Sequence, residues 1–147
     1  MKKFRFRMQV VLNMREKELE ERQMEMAKIL AALNSQQAKL KQILDYQEEI
    51  KQKLETLCSM EYLDVQQIES HKNFGNKLLD DARNQERIIA NTQAILKAKQ
   101  KEVKEAHHNV EILKKLKEKQ EKEYYKEFLT SEMKEIDDIT SARYRLN

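Results

Sequence analysis

From Leu12 to Leu57 the chain reads LNMREKELEERQMEMAKILAALNSQQAKLKQILDYQEEIKQKLETL, and the spacing of its apolar residues decides the fold. Every seventh residue gives Leu12, Leu19, Met26, Leu33, Leu40, Gln47 and Leu54, six of them apolar. Three residues further on stand Arg15, Arg22, Ile29, Gln36, Ile43, Ile50 and Leu57, of which four are apolar, all from Ile29 onward. An α-helix turns once in about 3.6 residues, so a repeat of seven keeps one narrow seam directed at one partner helix. A helix packed on a globular core would need a wider apolar face. A stripe this narrow, kept for about six heptads, reads as one strand of a coiled coil.

The composition agrees. Of the 147 residues 37% are charged and 6% aromatic, with one Gly, no Pro and no Trp. A compact globule of this length needs several loops, and loops draw on Gly, Pro, Asn, Asp and Ser, which are scarce and scattered here. What remains is rich in Glu, Lys, Gln, Leu and Met, good helix formers all. High charge with low hydropathy also fits disorder, but a disordered chain has no reason to hold a period.

Net charge is only +3, which gives little electrostatic support for nucleic acid binding. Cys58 is the single cysteine, so no internal disulfide can form and a reducing compartment is the simple inference. No apolar run approaches the roughly 20 residues of a membrane span. The start, Met1-Lys2-Lys3-Phe4-Arg5-Phe6-Arg7, is basic but leads into no signal-like apolar region. The protein is expected to be cytoplasmic and unprocessed.

Residues 1–7 alternate Phe with Lys or Arg, consistent with an extended arm, a frayed first turn or a basic contact point. Helix one is expected over about residues 8–57, helped on its exposed face by the Glu18/Arg22 and Glu49/Lys53 pairs at four-residue spacing. The ladder stops at Cys58-Ser59-Met60-Glu61-Tyr62, with Ser59 and Asp64 as possible caps for the next helix, so a turn is expected at about 58–63. A second ladder follows: Ile68, Gly75, Ala82, Ile89, Leu96, Val103 and Val110, with Leu78, Gln85, Thr92, Lys99, Ala106 and Leu113 beside it. It is weaker and more polar. From Leu116 the register drifts through Tyr124, Phe128, Leu129, Met133, Ile136 and Ile139, so helix two is expected over about 64–141, ending near Thr140 to Tyr144.

Two long seams joined by a short turn make an all-α, antiparallel two-helix coiled-coil hairpin, a single domain over residues 1–147. With the turn near Glu61, residue i faces roughly residue 122 minus i. Leu12 then lies level with Val110, Leu19 with Val103, Leu33 with Ile89 and Leu40 with Ala82, while Gln47 falls beside Gly75. At about 1.5 Å per residue, helix one is on the order of 75 Å and helix two on the order of 110 Å. The arms are unequal, and roughly the last 25 residues should run past the N-terminus as a lone helix. Its apolar stripe has nothing in this chain to bury against and so asks for a partner.

Nothing in the sequence looks catalytic, and no cofactor, metal or small-molecule substrate is expected. His107 and His108 are neighbours on a helix, pointing about 100° apart, and cannot share a metal. His71 lies too far off to complete a cluster. Cys58 reads as a bystander. Glu135, Asp137 and Asp138 read as a solvated acidic face or part of a docking surface. No Gly-rich phosphate loop is present, so any nucleotide would be held by another protein. Lys114, Lys115, Lys117, Lys119, Lys122 and Lys126 are interleaved with Glu111, Glu118, Glu121, Glu123 and Glu127, as in a charge-laced solvated face, with a binding patch as the alternative. Tyr46 and Phe74 fall within about one turn of each other across the hairpin, and are either plain packing or a contact patch.

The start, Phe4-Arg5-Phe6-Arg7-Met8-Gln9-Val10-Val11-Leu12 followed by Arg15-Glu16-Lys17-Glu18, resembles the N-terminus of the FliJ family of flagellar type III export proteins. Asp45-Tyr46-Gln47 resembles that family's central signature, and Glu132-Met133-Lys134-Glu135-Ile136-Asp137-Asp138-Ile139 its C-terminal segment. The resemblance covers nearly the whole chain. It implies an antiparallel coiled coil similar to the central stalk of rotary ATPases, whose paired termini enter the pore of the hexameric flagellar export ATPase and promote its assembly and turnover. It also implies contacts with the ATPase regulator, the cytoplasmic domain of the export gate and the export chaperones, and a place in the cytoplasm peripheral to the inner membrane. Carried onto this chain, the ring-facing residues would be Phe4, Arg5, Phe6, Arg7, Leu12, Tyr124, Phe128, Leu129, Met133 and Ile136. The gate-facing ones would be Ile43, Tyr46, Ile50, Phe74 and Leu78. Ile50 stands where the family often has an aromatic, and the run from Gln66 to Phe74 departs from its pattern.

Three functional readings follow. The first is a non-enzymatic stalk and assembly factor of flagellar export, with the stalk of a virulence secretion system as a variant. The second is a general coiled-coil adaptor with no ATPase partner. The third is a basic membrane or nucleic acid binder resting on Lys2, Lys3, Arg5 and Arg7, which would show strong salt dependence.

Overall fold

The computed structural model describes residues 2–146; Met1 and Asn147, the ends of the expected domain, lie outside the described residues. Among the described residues there are two helices and no strand: α1, Gln9–Cys58, and α2, Val65–Leu146. They pack on each other as an antiparallel hairpin, so the all-α two-helix architecture expected from the seams is the one observed. Every seam residue of α1 from Leu12 to Leu57 is buried or half-buried except Arg22, and apart from Gln9 no other residue of α1 is. The second seam is likewise covered from Ile68 to Leu113.

Local chemistry explains the ends. Asp64 caps α2, its carboxylate accepting the Gln67 N–H at 3.2 Å, which satisfies one of the first-turn donors that a helix leaves unpaired. Ser59 serves the other side of the turn. Its hydroxyl donates to the Thr56 carbonyl at 2.8 Å and its N–H to the Glu55 carbonyl at 3.2 Å, closing the last turn of α1. The α1 start is set by the Gln9 N–H donating to the Phe6 carbonyl at 3.1 Å. α2 runs on to Leu146, beyond the end near Thr140 to Tyr144 that the drifting register suggested. Loss of a seam removes tertiary support but not helical propensity, and no Gly or Pro interrupts this stretch.

The chain forms two compact units: one from the chain up to Arg22 with the chain from Val103, and one over Gln23–Glu102. In the first, Phe6, Leu12, Val110 and Leu113 are buried together, with Phe4, Leu19 and Leu116 against them. In the second, the core is Leu33, Ile50, Leu78, Ala82 and Ile89, with one buried polar residue, Gln85. Gln85 donates from Nε2 to the Gln36 carbonyl at 2.9 Å, and the Cβ that Gly75 lacks would stand 3.4 Å from Ile50 Cγ2. Both pairs lie within a turn of the expected facing rule. Lys99, at a seam position, donates to Glu25 at 2.8 Å and Glu102 at 3.0 Å. The hydrogen bond to Glu25 first, then that to Glu102, raises its pKa above the usual lysine value.

Candidate interaction surfaces

The first candidate surface belongs to the unit that contains both ends of the chain. Residues 2–6 form no helix; they run as an arm over α2. In an extended segment alternate side chains share a side, which puts Phe4 and Phe6 together and Lys3 and Arg5 opposite. Phe6 is buried against Val110 and Leu113, and Phe4 stacks at a tilt on Tyr124 with ring centroids 5.7 Å apart. The Tyr124 hydroxyl donates to the Lys2 carbonyl, and the Tyr125 ring meets that of Tyr124 edge-on at 5.5 Å. Lys2, Lys3, Arg5 and Tyr124 line an open cleft of about 620 Å³. Lys117 adds a hydrogen bond to Gln9 at 2.8 Å.

Beyond this clamp α2 is left open among the described residues. Phe128 is half-buried, and every residue from Leu129 to Leu146 is exposed, including Leu129, Met133, Ile136 and Ile139. The uncovered stretch is shorter than the sequence suggested, because an extended arm advances about 3.3 Å per residue where a helix advances about 1.5 Å. The ten residues expected to face the ring thus divide. Phe6 and Leu12 are interior and hold the arm in place; Phe4, Tyr124 and Phe128 are half-buried; Arg5, Arg7, Leu129, Met133 and Ile136 face outward. The interior role of Phe6 was readable in principle from the two-residue spacing of Phe4 and Phe6, once an extended arm is assumed.

The second surface lies in the unit over Gln23–Glu102. Tyr46 and Phe74 are both 45% exposed. Of the other residues expected to face the gate, Ile50 and Leu78 are buried in the core and Ile43 is half-buried. Large aromatic faces left open on a charged helical surface are what protein interfaces favour as anchors.

The remaining polar groups behave as a solvated surface. Lys122 pairs with Glu118 at 3.3 Å and Arg15 with Glu18 at 3.1 Å. His107 stands 3.9 Å from Glu111, an ion pair only when the imidazole is protonated, and Cys58 is exposed. Among the described residues no group of three His, Cys, Asp or Glu is placed to hold a metal, and no helix is long and apolar enough to cross a membrane.

The family model described as "Flagellar FliJ protein" matches residues 4–147. Neither a curated protein nor a solved structure matches the chain.

Proposed function

The chain belongs to the flagellar FliJ family, and from that membership we propose that it is a non-enzymatic stalk and assembly factor of the flagellar type III protein export apparatus. Its paired termini insert in the hexameric export ATPase ring and promote assembly and turnover. The Tyr46/Phe74 patch meets the cytoplasmic domain of the export gate, and the stalk also engages the ATPase regulator and export chaperones, in the cytoplasm against the inner membrane.

One observation carries this reading: a helix end whose apolar residues Leu129, Met133 and Ile136 stay exposed while the arm and Tyr124 brace the helix just before it. A helix so presented can enter a ring and offer six subunits six different faces. Contacts that differ between subunits bias their conformations, which is how a rod without chemistry of its own alters turnover elsewhere.

The test is ATP turnover by the cognate export ATPase, with and without this protein, alongside the oligomeric state of the ATPase. The reading expects stimulation with hexamer formation, saturating near one chain per six subunits, as the geometry of a single helix pair in a pore requires. No effect at any ratio, with the hairpin shown to be folded, would overturn it and leave a coiled-coil adaptor.

A further inference from the structure

In the unit over Gln23–Glu102, α1 and α2 leave an open groove of about 510 Å³ between them. Its floor is apolar: Ile50, Leu54, Cys58 and Leu79, deepened where Gly75 has no side chain. Lys51 and Lys72 stand on its rims, against the single carboxylate of Glu55. Neither Tyr46 nor Phe74 lines it, so it is a different surface from the aromatic patch.

The same chain carries a segment of matching form. Leu129, Met133, Ile136 and Ile139 recur at helical spacing on α2 and are between 58% and 67% exposed. The stretch from Leu129 to Ile139 bears Glu132, Glu135, Asp137 and Asp138 against the one Lys134, so it is acidic where the groove rim is basic. The lengths agree as well: Gln47 to Cys58 covers about 16 Å of helix and Leu129 to Ile139 about 15 Å. A helix with an apolar stripe and charged flanks laid in an apolar groove is a recurring recognition mode.

We propose that the Gly75 groove receives the acidic α2 end of a second copy of this chain. The two surfaces are different, so the contact is head-to-tail. Each chain that docks leaves one groove and one helix end free, and the assembly does not close at a dimer. The proposal stands apart from the stalk reading; where both hold, self-association and ring entry compete for the same stripe.

The test is mass in solution by sedimentation velocity and light scattering over a concentration series. The expected result is a mass that climbs past two chains without a plateau and falls back at high salt, where exposed charge pairs are screened. Two double variants at exposed positions then separate the surfaces: Lys51→Glu with Leu79→Glu in the groove, and Leu129→Lys with Met133→Lys on the helix end. Circular dichroism checks that each is folded. Each variant alone should be monomeric. An equimolar mixture should give a dimer and no more, because only one productive contact remains. A wild-type chain that is monomeric throughout overturns the proposal without recourse to the variants. So does a groove variant that still dimerises, which would mean that two helix ends pair with each other.

Discussion

Gln36 shows how much one polar residue can decide in a narrow seam. Its side-chain Oε1 is buried without a hydrogen-bond partner, while its backbone carbonyl accepts from the buried Gln85. A buried acceptor left unpaired costs about 1–3 kcal/mol. Gln36→Leu keeps the bond from Gln85 and removes the orphaned oxygen, so the variant should be more stable by about 1–3 kcal/mol, read as a rise in Tm. Gly75 is the other position where a single atom matters. The Cβ that alanine would add meets Ile50 Cγ2 at 3.4 Å, an ordinary contact. Gly75→Ala should therefore stabilise by about 1 kcal/mol from helix propensity alone, read as a rise in Tm. Lys99 has the opposite character, a cation kept in the seam by Glu25 and Glu102. With its pKa raised on folding, its contribution is whole below the ordinary lysine pKa near 10.4 and fades as pH rises through the raised value.

For the helices, Leu33 is the sharper probe. It is buried on α1 in the same unit as Ile89 on α2. Leu33→Asp places a charge in that seam with no partner, and should lower both helicity and melting temperature; an unchanged melting curve would mean that the register is wrong. That register was legible because a coiled coil repeats one decision every seven residues. The ladder from Leu12 to Leu57 names the covered positions of α1, with Arg22 as the exposed exception. Asp64 could be recognised as a cap for the same reason, a short polar side chain before a new period. What the sequence hid lay outside the period. The arm has no heptads to declare it, so Phe6 read as a contact residue and proved to be part of the core. Ser59, expected as a possible cap of α2, instead closes α1, because its hydroxyl and its N–H both bond back to carbonyls of that helix. The groove beside Gly75 is lined in part by a residue with no side chain, which no ladder records as a surface.

At the scale of the whole molecule the inequality of the helices, 50 residues against 82, sets what can be removed. No residue from Leu129 to Leu146 is buried. Deleting residues 129–147 should leave the melting curve of the hairpin intact while abolishing stimulation of the export ATPase; a truncated chain that unfolds would show that the end packs internally. The clamp at the arm has a further consequence. Lys2 and Tyr124 are joined by a hydrogen bond across 122 positions of sequence. Translation proceeds at about 5–20 residues per second, so the arm leaves the ribosome on the order of ten seconds before its ring partner on α2 exists. For that interval Phe4 and Phe6 ride unburied among cationic neighbours. The arm therefore has to wait for its own cover, and the clamp can close only once the chain has been made as far as Tyr124.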